Sequence, residues 1–145
     1  MLLADSNIWL ALALSKHIFH RSVRGWLARR PARDPLAFCR FTQLTFLRLI
    51  TTSAVMGQYG IPPLSNAAAW SVYERFRANK RISVVGEPTG LDQQWGDLAG
   101  RPTASPKLWM DAYLAAFAIT GRHRLVTTDA AFRQFADLDV LVLPG

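Results

Sequence analysis

Twice in this sequence a short apolar run ends in an aspartate that stands where a helix can begin: Met1–Ala4 before Asp5, and Leu125–Thr128 before Asp129. A buried strand that hands over directly to a helix, repeated along a chain, points to an α/β fold with a mostly parallel sheet. The other segments keep the alternation. An all-apolar helix is expected over Ile8–Leu14, and a second over about Ile18–Arg30, whose Phe19, Val23, Trp26 and Leu27 share one face at i, i+4, i+7 and i+8. Arg21 and Arg24 face elsewhere, Arg29 and Arg30 suit the negative end of the helix dipole, and Pro31 ends the helix. Leu36–Arg40 reads as a strand, Thr42–Ser53 as a helix, Gly57–Pro63 as turn, and Ser65 as the N-cap of a helix buried through Ala69, Val72, Tyr73 and Phe76. Then follow a strand at 82–85, a loop from Gly86 to Pro106 holding a short helix near Leu91–Leu98, and a helix over Lys107–Thr120. A strand at 125–128, a helix over Asp129–Phe135 and a last strand at 140–143 complete the pattern.

The 145 residues suit one domain with its own core, spanning 1–145 without repeat, low-complexity tract or interdomain linker. Half are apolar and 19% are charged, an ordinary globular composition. No apolar run is long enough to span a bilayer. The N-terminus has an acid, Asp5, where a signal peptide carries basic residues, and Cys39 is the single cysteine, so a reducing cytoplasm is the expected location. The net charge of +7 is concentrated in residues 1–50, with eight Lys and Arg against two acids. That bias suits a polyanionic partner such as nucleic acid, or simply an Arg-rich soluble surface.

The chemistry-bearing residues are acids. Ligands of parallel α/β sheets bind beyond the carboxyl ends of the strands, which is where Asp5 and Asp129 fall, although either could serve only as a helix cap. Asp111 is harder to explain structurally. Its helix buries Leu108, Ala112, Ala115, Ala116 and Ile119, and Asp111 borders that stripe, with Lys107 and Arg101 as the nearby cations. Gln43 shares a helix face with Phe46, Leu47 and Ile50, as either a core amide satisfied by backbone or a member of the site. Three converging carboxylates would repel one another unless a cation joined them. Oxygen ligands select a hard ion, Mg²⁺ or Mn²⁺, and His17, His20, His123 and Cys39 have no zinc-ligand spacing. A hydrated Mg²⁺ beside a basic surface would serve phosphodiester hydrolysis.

The segments LLADSNIWL, TQLTFLRLIT, LWMDAYLAAFAI and RLVTTDAAF, taken together, resemble the PIN domain of VapC toxins over essentially the whole chain. The last two, with Asp111 and Asp129 separated by 18 residues, are the most specific. The resemblance implies a three-layer α/β/α sandwich around a mostly parallel sheet, Mg²⁺-dependent endonucleolytic cleavage of RNA, a small antitoxin partner and a homodimer. It makes Asp5, Asp111 and Asp129 the metal-site acids, with Asn7 and Thr127 orienting them through hydrogen bonds. The family's remaining acid, usually Glu, falls at Gln43. Loss of that charge implies weaker metal binding or a single tightly bound ion, and Asp34, Asp92 and Asp97 have no spacing that compensates. Arg21, Arg24, Arg29 and Arg30 are the expected contacts to RNA phosphates, and the N-terminal helices the expected seat of antitoxin anchors. Two other readings remain: a PIN fold that grips RNA or antitoxin without cutting, and a phosphoaspartyl enzyme with Asp5 as nucleophile. The latter would favour a second acid where Asn7 stands.

Overall fold

The computed structural model describes residues 1–144. Five strands, β1 (Leu2–Ala4), β2 (Leu36–Phe38), β3 (Ile82–Val84), β4 (Arg124–Thr127) and β5 (Val140–Val142), form one sheet in the order β3-β2-β1-β4-β5. Every neighbouring pair is parallel, with Leu3 set against Ala37 on one side and Leu125 on the other. The helices are α1 (Ser6–Ala13), α2 (His20–Arg29), α3 (Arg40–Ile50), α4 (Ser53–Gly57), α5 (Asn66–Ala78), α6 (Leu91–Ala99) and α7 (Leu108–Gly121).

Side chains alternate across the strands and so feed two cores. Leu2, Ala4, Leu36, Phe38 and Val126 pack towards α1, α2, α3 and α5, around the wholly buried Trp9 and Phe46. Trp9 lies flat on Phe38, ring centroids 3.6 Å apart. Leu3 and Leu125 face the other way, against α6 and α7, among Leu114, Ala115 and Phe117. The result is the expected α/β/α sandwich. Burial on both faces explains why β1 and β2 are apolar throughout.

Two elements depart from the sequence-based reading. The helix expected over Thr42–Ser53 ends at Ile50, and α4 follows separately, between that helix and the expected turn at Gly57–Pro63. Thr51 Oγ1 donates to the Leu47 carbonyl at 2.9 Å and Thr52 Oγ1 to that of Arg48 at 2.5 Å, taking acceptors that would otherwise serve the next turn. The segment after Asp129 is a 3₁₀ helix, Ala130–Gln134, rather than an α-helix. Ser65 caps α5 as its position indicated, its hydroxyl accepting from the Ala68 N–H at 3.1 Å.

Candidate active site

The strands point their carboxyl ends at one pocket of about 330 Å³, and three acids from separate elements line it: Asp5, Asp111 and Asp129. Asp5 is the first residue beyond β1 and the N-cap of α1. Its Oδ1 accepts from the Ser6 N–H at 2.7 Å and its Oδ2 from the Thr127 hydroxyl at 2.8 Å. Thr127 is the last residue of β4, wholly buried, and its Oγ1 also accepts from the Asp129 N–H at 3.0 Å. One hydroxyl therefore joins the acid after β1 to the acid after β4, adjacent strands of the sheet. Asp129 in turn accepts from the Ala131 N–H at 2.9 Å, capping the 3₁₀ helix. Asp111 enters half-buried from the first turn of α7.

The electrostatics of the pocket are unbalanced. Burial pushes the Asp5 carboxyl up to about 6, the nearby Asp111 charge adds to this, and the Thr127 and Ser6 hydrogen bonds oppose it. Asp111 is also raised, first by burial and then by the Asp129 charge. Among the described residues the only ion pairs are Arg30–Asp34 and Arg124–Asp139, so none of the three acids has a cationic partner within salt-bridge range.

This donor set fits a hard divalent cation. Ser6 and Asn7 add neutral oxygens to the three carboxylates, and neither histidine nor cysteine lines the pocket. Among the described residues no three acid, histidine or cysteine side chains stand close enough to cage an ion by themselves. The pocket thus offers converging oxygens rather than a closed ligand shell, which suits an ion that keeps part of its water.

A family model for the PIN domain matches residues 2–138. The chain belongs to the PIN domain family. It is 52% identical over 144 residues to Ribonuclease VapC41 of Mycobacterium tuberculosis, covering 99% of each. Among solved structures, VapBC2 from Rickettsia felis bound to a DNA fragment from its promoter superposes with a TM-score of 0.70 at 15% identity, over 99% of this chain and 98% of that one. A toxin–antitoxin complex from Klebsiella pneumoniae gives 0.60 at 18%, over 98% and 97%.

The PIN pocket does not include every residue expected from the sequence. Gln43 is buried, but its Nε2 donates to the Tyr73 hydroxyl at 2.5 Å and it does not line the acidic pocket. On α3 the residues that reach the pocket are Phe41 and Thr45, while Gln43, Phe46 and Ile50 turn into the sandwich. Gln43 is therefore corrected to a core residue linking α3 and α5. Arg29 and Arg30 stand apart from the pocket. Arg81, just before β3, donates to the Leu27 and Arg30 carbonyls, so α2 ends at the amino edge of the sheet, away from the pocket. Arg30 is further occupied by Asp34 and lies 5.4 Å over the Trp26 ring. Arg21 and Arg24 are exposed, and Ser22 donates to the Pro144 carbonyl just past β5, which brings the start of α2 to the carboxyl edge.

Ser6, Phe41, Thr45 and Met110 line the pocket without having been singled out, and Lys107 is the one cation that lines it. Next to it opens an apolar groove of about 410 Å³, sharing Phe41 and Met110 and walled by Leu44, Trp95, Trp109 and Tyr113. Leu44 is 62% exposed and Trp109 54%. The N-terminal helices offer less apolar surface: Trp9 is wholly buried, Phe19 and Trp26 half-buried, and Ile18 open at 78%.

Proposed function

We propose that this chain is an endoribonuclease that hydrolyses RNA phosphodiester bonds with the help of Mg²⁺, Mn²⁺ being the alternative, and that it is the toxin of a toxin–antitoxin pair. The observation that carries this reading is the convergence of Asp5, Asp111 and Asp129 on one pocket without a cationic partner. The relationship to Ribonuclease VapC41 over nearly the full length of both chains supports it.

In this mechanism Asp5 and Asp111 would hold the ion, and Asp129 would contribute through bound water. When bound, the divalent ion would polarise the phosphodiester and make a water acidic enough to attack it. Thr127 keeps the Asp5 carboxylate turned into the pocket while fixing the Asp129 backbone, and Asn7 supplies an amide at the rim. Arg21 and Arg24, on the exposed face at the start of α2, would hold flanking phosphates. The cognate antitoxin would block the same pocket. The exposed groove beside it, being almost wholly apolar, is the face through which two copies would form the expected homodimer. Trp109→Glu should then leave a monomer in size-exclusion chromatography.

The absence of a carboxylate on the α3 wall, where Phe41 and Thr45 stand, favours a second reading: a PIN fold that binds RNA or antitoxin without cutting. One experiment separates them. Purified protein incubated with RNA and Mg²⁺ should cleave it, chelator should stop the reaction, and Asp111→Asn should abolish it with the fold retained. Wild-type rates in the Asp111→Asn variant would refute the site. No metal-dependent cleavage by the native chain would select the binding reading.

A further inference from the structure

Lys107 is the one cationic residue lining the pocket, and the family resemblance gives it no role. It occupies the N-cap position of α7, one helical turn before Asp111, and lines the same pocket as the three acids. No other Lys or Arg lines that pocket. Among the described residues Lys107 makes no ion pair, with Asp111 or any other carboxylate. Its position is also electrostatically poor, since the amino end of a helix carries partial positive charge and favours anions. Lys107 thus shares a pocket with three carboxylates and closes an ion pair with none of them. It does lie where an anion must enter.

A phosphodiester approaching this pocket is repelled by Asp5, Asp111 and Asp129. A bound divalent ion would compensate on the acid side, yet a phosphodiester has two non-bridging oxygens, and the second needs its own donor. We propose that Lys107 holds a non-bridging oxygen of the scissile phosphate, making it a substrate-binding residue of the reaction and the fourth functional wall of the pocket. This rests on the ribonuclease reading above.

The test measures binding apart from cutting. In the Asp111→Asn background, a labelled single-stranded RNA of mixed sequence is titrated at several salt concentrations, with Lys107 intact, as Lys107→Met and as Lys107→Arg. Removing one phosphate contact on a single strand should lower the slope of log affinity against log salt by about 0.7, and arginine should restore it. Mg²⁺ binding to the RNA-free Lys107→Met protein, with Asp111 intact, should be as tight as in the native chain or tighter. An unchanged slope, while the native chain cleaves RNA, overturns the role of Lys107 alone. Loss of Mg²⁺ affinity in Lys107→Met also overturns it, since the lysine would then act through the ion site. A native chain that neither binds nor cuts RNA overturns both readings together.

Discussion

Asp5→Asn should make the metal-free protein more stable, although it removes a central residue of the site. Asp5 is 8% exposed, and its carboxyl titrates at about 6 in the folded protein against 3.8 ordinarily. Between those values the folded state holds a proton that the unfolded state has released, so stability falls as pH rises through this window. Well below pH 3.8 both states are protonated and there is no penalty. Above pH 6 the full penalty applies. At about 1.4 kcal/mol per pH unit the gap corresponds to about 3 kcal/mol. Asparagine carries no charge and remains a good N-cap, still able to accept from the Ser6 N–H. It answers the Thr127 hydroxyl less well, which costs about 1 kcal/mol. The net gain is then about 2 kcal/mol at pH 8, or roughly 6 °C in melting temperature for a chain of this length.

The assay is thermal melting of native and Asp5→Asn protein in chelator at pH 4 and pH 8. The variant should melt higher at pH 8, and the advantage should vanish or reverse at pH 4. Saturating Mg²⁺ should reverse the order at pH 8 as well. An ion at about a hundred times its dissociation constant stabilises the native chain by about 2.7 kcal/mol and the variant by much less. A variant that melts at or below the native protein in chelator at pH 8 would refute the argument that Asp5 is a desolvated charge awaiting a cation.

Thr127→Val keeps the shape but removes both hydrogen bonds of the hydroxyl. It should cost about 1–3 kcal/mol of stability and raise the Asp5 carboxyl further, moving the acid limb of the pH–activity profile upward. Gln43→Glu places a charge in the core beside Tyr73 rather than in the acidic pocket, so it should destabilise by about 1–3 kcal/mol and leave Mg²⁺ affinity within about twofold. A tenfold tightening of Mg²⁺ in calorimetry would return Gln43 to the site.

The residues legible from the sequence share one property: their position follows from the ends of strands. A run such as LVTT cannot be buried in a parallel sheet without delivering the next residue to the carboxyl edge, so Asp5 and Asp129 were placed by connectivity alone. Asp111 was placed by its mismatch with the buried stripe of α7. Helix periodicity tells which side chains share a face but not which layer that face meets. Gln43, Phe46 and Ile50 do form one buried face, as their spacing indicates, but it meets α5, and the pocket receives Phe41 and Thr45 from the opposite side. Likewise the pattern of α2 sorted its arginines from its core face, yet only the packing against Arg81 and Pro144 shows that α2 starts at the carboxyl edge of the sheet and ends at the amino edge.

The same consideration explains why Thr127 matters more than its size suggests. A strand end positions the backbone to within a residue, but a carboxylate that must meet an ion needs its torsion angles held too. Asp5 is held by one bond from its own helix and one from the neighbouring strand. Asp129 has its backbone held by that same hydroxyl and its carboxylate by the turn it caps. Asp111 has only its helix and the repulsion of its neighbours, and is the least constrained of the three. Two fixed acids and one adjustable acid, open to water, describe a site that can close on an ion with its substrate attached. Such an arrangement suits the proposed Mg²⁺, which gives up its hydration reluctantly and takes few ligands from the protein itself.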